Sequence, residues 1–223
     1  MTTILITGAE QGLGRALAER YAADHPSHRI LQMPGDVCRA GKRSIEAWLT
    51  PQPRIDIVIN NYGRHHLSWI GTTPEEDEGI LWTNVMGPYW IINYLVARGD
   101  ICIVVNVASQ TWRVPQRCSA LYCASKAALV QLTRVMAREL GPKGWTISAI
   151  CPGKIRGTRM TELVDAQVEE LRGWSHEEAE TYAQSLVPVQ RFTYPEEVAS
   201  MIMSMLEAGR YLNGTILDFT GGQ

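Results

Sequence analysis

The sequence is short of cysteine, of net charge and of long apolar runs, and each shortage closes off a class of protein. Its 223 residues include 5 cysteines, an odd number with no Cys-x-x-Cys pair. That argues against a disulfide framework and for reduced thiols in a cytoplasmic setting. Cys102 and Cys151 fall inside apolar runs and read as small core residues. A net charge of −2 and a pI of about 6.2 offer no basic surface to a nucleic acid. No uninterrupted apolar stretch approaches the roughly 20 residues of a membrane helix. The opening residues Met1 to Ile6 carry no basic segment, so neither a membrane span nor a signal peptide is expected. Repeats, linkers and low-complexity tracts are missing too, and the length suits one well-buried domain over 1–223.

What is present is an alternation of apolar runs and amphipathic stretches. Ile4-Leu5-Ile6, His28 to Met33, Ile55 to Ile59, Ile101 to Val107, Thr146 to Cys151 and Gly214 to Phe219 read as strands. Leu13, Leu17 and Tyr21 mark one helix face, and Ile45, Trp48 and Leu49 another. Asn84 to Val96 is apolar enough for a helix buried on more than one side. Thr73 and Glu76 have capping-box spacing, and Thr193-Tyr194-Pro195-Glu196 opens a last helix. Too few residues separate Met33 from Asp36-Val37 for a crossover helix. The pattern predicts an α/β fold: a doubly wound, mostly parallel sheet of Rossmann type. Helices cover both faces, and the chain is shortened between the second and third strands.

In such sheets ligands bind beyond the carboxyl ends of the strands, and four suggestive segments fall there. Thr7 to Gly14 follows the first strand as a glycine-rich turn opening a helix, the context in which backbone N–H groups receive a pyrophosphate. Asn60-Asn61-Tyr62-Gly63, Ser109 and Pro152-Gly153 each follow a later strand. Tyr122 and Lys126 stand four apart at the head of a helix whose buried face is Leu129, Leu132, Met136 and Leu140. A phenol with a pKa of about 10 is in the wrong form to act as a base near neutrality. A cation within about 4–6 Å favours its ionised form.

Together these segments resemble the short-chain dehydrogenase/reductase family over essentially the whole chain. Thr7, Gly8, Gly12 and Gly14 match its TGxxxGxG turn, and Asn60 to Gly63 its NNAG element. Asn84, Ser109, Tyr122 and Lys126 match its catalytic four. The resemblance implies an oxidoreductase interconverting an alcohol and a carbonyl with NAD or NADP. Tyr122 is its general acid/base, Lys126 depresses the Tyr122 pKa and holds the nicotinamide ribose, and Ser109 bonds the substrate oxygen. Asn84 anchors a water that links Lys126 to solvent. Cofactor contacts are expected from Thr7, Gly8, Gln11, Gly12, Leu13, Gly14, Asp36 (at the adenine), Val37, Asn60, Asn61, Tyr62, Gly63, Tyr122, Lys126, Pro152, Gly153 and Ile155. A substrate lid is expected over roughly 154–190, and a homodimer or homotetramer in solution.

Three departures from the family pattern stand out. Tyr62 replaces a small alanine beside the cofactor. The residues that would distinguish NAD from NADP are missing with the shortened segment, so Gln11, Asp36, Arg39, Lys42 and Arg43 leave the choice open. The segment Pro152 to Thr158 is one residue longer than usual, which leaves the place of Thr158 open. On the substrate side His65, His66, Trp69, Trp112, Arg156 and Arg159 are candidates. His65-His66 has no carboxylate or Cys nearby at ligand spacing, so no metal is expected. A non-catalytic dinucleotide sensor on the same fold is the alternative reading.

Overall fold

A computed structural model describes residues 1–72 and 79–223. The capping box expected at Thr73 and Glu76 lies outside them. In chain order the strands are β1 (Thr3–Thr7), β2 (Arg29–Met33), β3 (Ile57–Asn60), β4 (Ile103–Val107), β5 (Thr146–Pro152) and β6 (Ile216–Phe219). The helices are α1 (Gly12–Asp24), α2 (Gly35–Arg39), α3 (Lys42–Leu49), α4 (Gly87–Arg98), α5 (Ala120–Leu140), α6 (Arg159–Arg172), α7 (His176–Ser185) and α8 (Pro195–Ala208). The six strands form one parallel sheet in the order β2-β1-β3-β4-β5-β6.

The two-residue period of a strand sends alternate side chains to opposite faces, and that period divides the core. Ile4, Ile6, Ile57, Ile59, Val105 and Val107 face one way, where α1 brings Leu13, Leu17 and Tyr21 and α8 brings Val198 and Ile202. Leu5, Val58, Val104 and Ile147 face the other way, against Ile45 and Leu49 of α3, Ile91 and Leu95 of α4, and Met136 and Leu140 of α5. The doubly wound sheet is therefore as expected.

The shortening takes a particular form. After β2 the chain does not make a further strand at Asp36-Val37. Pro34 sets an extended N-cap and residues 35–39 wind into α2, with Asp36 in the first turn where the helix dipole favours an acid. The chain then passes through α3 and returns to β3 on the other side of β1. Strand order reverses at β1, so the ends of β1 and β3 open a crevice between them.

Ahead of α4, residues Trp82–Met86 form a π turn, in which Gly87 N–H returns to Trp82 O. Pro88 has no N–H to give the Asn84 carbonyl, which removes one four-residue bond where the helix widens. Such widened turns concentrate at functional sites.

Candidate active site

Asn84 is fixed from all sides. Its Oδ1 accepts from Arg64 N–H at 2.8 Å, and its Nδ2 donates to Arg64 O and to Ser125 Oγ, both at 2.9 Å. The side chain thus clasps the loop after β3 to α5, and Ser125 in turn donates to the Tyr122 carbonyl at 2.7 Å.

Tyr122, Ser109 and Lys126 converge at the end of β4. Ser109 caps a short 3₁₀ turn and stands close enough to the Tyr122 hydroxyl to pull its pKa down. Lys126 donates to Val107 O at 3.0 Å, with Nζ 5.6 Å from the Tyr122 ring centre. Both side chains are buried. Burial pushes the Tyr122 phenol up to about 12, against the smaller downward pull of Ser109, and pushes the Lys126 ammonium down to about 8. The expected depression of Tyr122 by Lys126 is not found: the loss of water around the phenol dominates. Tyr122 is held protonated at neutral pH.

His65 stacks on the Tyr122 ring, with centroids 3.8 Å apart and planes 14° apart, while its Nε2 shares a hydrogen bond of 2.9 Å with Ser119 Oγ. Burial first, then Lys126 and His66, lowers its pKa to about 3. The sequence placed His65 only somewhere on the substrate side. A histidine two residues past the Gly63 turn is the one signal it offered.

These groups line a cleft of about 500 Å³ that runs from the glycine turn to the C-terminal side of the sheet. Of the expected cofactor residues, Gly8, Gln11, Gly12, Leu13, Asn61, Tyr62, Gly63, Tyr122, Lys126, Pro152, Gly153 and Ile155 line it. Thr7, Gly14 and Asn60 support it from behind. Thr7 Oγ1 accepts from Asn61 N–H and Tyr62 N–H at 3.0 and 2.9 Å, and Asn61 Nδ2 returns to Thr7 O and Gly8 O. A Cβ on Gly14 would sit 2.0 Å from Gly8 O, so only glycine permits this turn. Asn60 points into a buried chain through Asn106 to Thr133. Asp36 and Val37 do not line the cleft. Asp36 is exposed and pairs with Arg39 at 3.0 Å, because residues 35–39 wind into α2 and carry it away from the cleft.

On the substrate side α6, α7 and the residues next to them cover the cleft with Met160, Val164, Val168, Trp174, Tyr182 and Leu186. Gln167 ties α6 to the loop after β3, accepting from Leu67 N–H at 3.1 Å and meeting His66 Nδ1 at 2.8 Å. Thr158 caps α6 and packs over Gly12, whose Cβ would lie 3.4 Å away. Trp112 turns from the cleft to Asp218, donating at 2.8 Å, and Trp69 lies under Arg117. Arg156 is taken by Glu180, while Arg159 does line the cleft. Among the described residues no His, Cys, Asp and Glu cluster could hold a metal.

The cleft suits a dinucleotide at both ends. Gly8 and Gly12 adopt left-handed φ of 65° and 53°, and the N-cap Gln11 makes no side-chain bond to the head of α1. The first N–H groups of α1 are thus left for an anion beside Gly12 and Leu13. At the other end Gln110 Oε1, beside Gly153, and Thr111 Oγ1 are buried with no partner among the described residues. Lys126 spends one of its three donors on protein and borders Gly63, whose Cβ would lie 3.4 Å from Nζ.

A parallel sheet with a glycine turn at the head of α1 and a Ser-Tyr-Lys group at the far end of the same cleft defines a dinucleotide-dependent oxidoreductase. The chain belongs to the short-chain dehydrogenase/reductase family: the profile described as enoyl-(acyl carrier protein) reductase matches residues 2–223. It is 28% identical to galactitol 2-dehydrogenase of Agrobacterium fabrum, over 98% of this chain and 95% of that protein. It is 29% identical to an NAD-dependent glycerol dehydrogenase of Listeria innocua, over 98% and 92%. The crystal structure of levodione reductase superposes with a TM-score of 0.86 at 26% identity, covering 100% of this chain and 97% of that one. The protein is an NAD(P)-dependent enzyme of alcohols and carbonyls. The alternative of a non-catalytic sensor finds no support among these relatives.

Proposed function

We propose that the enzyme interconverts a small secondary alcohol and its ketone, with Tyr122 as the proton-transfer group. The observation that carries this is the meeting of Tyr122, Ser109 and Lys126 in one cleft with a glycine turn that suits a dinucleotide. The bound dinucleotide supplies or takes up the hydride. In reduction the Tyr122 hydroxyl, protonated at neutral pH, gives its proton to the carbonyl oxygen while Ser109 Oγ hydrogen-bonds the same oxygen. In oxidation Tyr122 must first shed that proton, which burial opposes and the Lys126 ammonium favours. Asn84 positions the loop and α5, and its amide is spent on protein. Its side chain is therefore a positioning group rather than a carrier of protons. The relatives that act on galactitol and glycerol support a polyol or hydroxyketone as substrate.

Tyr122→Phe tests the mechanism. General acid catalysis is worth about 10²–10⁴ in rate, so kcat should fall by about that factor while the dinucleotide still binds. Full turnover in the variant would overturn the assignment. The α6–α7 segment acts as the substrate lid. Exposed Tyr89, Leu121 and Val135 on α4 and α5 support assembly into a homodimer or homotetramer, which a monomeric mass in solution would refute. Free thiols at all the cysteines support a cytoplasmic location, which recovery of the native protein outside the cytoplasm would contradict.

A further inference from the structure

The relatives and the fold leave open which of the two dinucleotides the enzyme takes. In this fold an acidic residue past the second strand accepts a hydrogen bond from the ribose 2′-hydroxyl of NAD, while a nearby Arg accommodates the 2′-phosphate of NADP. Here β2 ends in Met33 and the uncharged Pro34-Gly35 follows, and the next acid, Asp36, is exposed and paired with Arg39. A carboxylate reaches the place from elsewhere. Glu10, the third residue of the glycine turn's Gly8-to-Gly12 bend, turns its Oε1 to the Gly35 N–H at 2.9 Å. Among the described residues its second oxygen has no hydrogen-bond or ion-pair partner.

The surroundings are ordered around that contact. The Tyr62 ring lies across both glycines that flank the end of β1 and β2. A Cβ on Gly8 would be 3.0 Å from Tyr62, and one on Gly35 would be 2.3 Å from it. Gly8 N–H is itself bonded to Met33 O at 2.9 Å, closing the turn onto β2. Two of the basic groups nearby face acids of their own and a third bonds the turn itself. Arg39 pairs with Asp36, Lys42 lies 3.7 Å from Glu46, and Arg15 donates to the Glu10 main-chain carbonyl at 3.0 Å. The result is an aromatic wall with an anion at its rim.

We propose that Glu10 selects NAD(H) over NADP(H), taking from the glycine turn the role that a residue after the second strand ordinarily fills. The free carboxylate oxygen accepts from a ribose hydroxyl, whereas a 2′-phosphate brings like charge against it. The inference rests on the dinucleotide site described above.

Isothermal titration of the full-length protein with NADH and with NADPH tests it without recourse to a substrate. The wild type should bind NADH at least tenfold more tightly. Glu10→Gln retains an oxygen for the Gly35 N–H and removes the charge, so its melting temperature should hold while NADPH affinity rises. Glu10→Ser should narrow the ratio further. Equal or tighter NADPH binding by the wild type overturns the proposal, as does an NADH-to-NADPH ratio unchanged in both variants. Failure of both dinucleotides to bind overturns the underlying site assignment as well, and so distinguishes the two failures.

Discussion

A buried imidazole lying flat on the proton-transfer tyrosine restricts what either ring can do. His65, with its pKa lowered to about 3, is neutral near neutral pH, so it is no rival to Tyr122 as an acid there. It fixes the ring plane of Tyr122, and Ser119 fixes His65 in turn. The same burial has a thermodynamic consequence. An unfolded histidine takes up a proton below about 6.5, and the folded one does not until near 3. The unfolded chain therefore binds the extra proton between those limits, and stability falls with falling pH by about 1.4 kcal/mol per unit from this group. His65→Phe keeps a flat ring and removes the titration. Urea denaturation at pH 7, 5 and 4 should show a shallower decline for the variant, and parallel declines would remove His65 from the account. The sequence carried the identities of Ser109, Tyr122 and Lys126 in their order and spacing. It did not carry the stack, because His65 and Tyr122 meet only through the fold.

At the scale of elements, spacing was legible and long-range contact was not. All six strands lie where apolar runs put them, because parallel strands covered on both faces are nearly continuous in Val and Ile. Asp36-Val37 deceived because the pair expected at the cofactor became the first turn of α2, outside the cleft. Trp112 deceived because its partner, Asp218, stands on β6. Tyr62 stood out only by comparison with the family, and its packing explains a second oddity, the glycine at 35. That glycine does not adopt a left-handed φ, so what the position requires is room for the Tyr62 ring. Gly35→Ala should cost about 1–3 kcal/mol by overpacking. In a Tyr62→Ala background the clash is gone, and an alanine at the head of α2 should cost nothing or stabilise by up to about 1 kcal/mol. A double-mutant cycle by chemical denaturation reads the coupling. Additive effects would show that Gly35 answers to something other than Tyr62.

Across the whole molecule, the two ends of the sheet divide their duties. Everything chemical lies past the carboxyl ends of the strands, while the opposite end is bound together by two buried or half-buried aspartates. Asp56 accepts from Thr3 N–H at 2.9 Å and holds β1 to the entry of β3. Asp100, only 6% exposed, accepts from Ile55 N–H at 3.0 Å and pairs with Arg98. That guanidinium also donates to the carbonyls of Leu49, Gln52 and Pro53, so one ion pair gathers the end of α3, the end of α4 and the approach to β3. None of this was legible in the sequence, where Arg98 and Asp100 read as an ordinary polar connection between a helix and a strand. Removing one partner of a buried pair leaves the other charge uncompensated at a cost of about 3–5 kcal/mol. Arg98 keeps some solvent, with 21% of its side chain exposed, so Asp100→Ala should fall toward the lower figure in urea denaturation. Its affinity for the dinucleotide should stay at the wild-type value, since the cleft lies at the other end of the strands. Tyr122→Phe should show the converse, with stability kept and turnover lost. A loss below about 1 kcal/mol in Asp100→Ala, or a weakened dinucleotide, would mean that the two ends of the sheet are not independent.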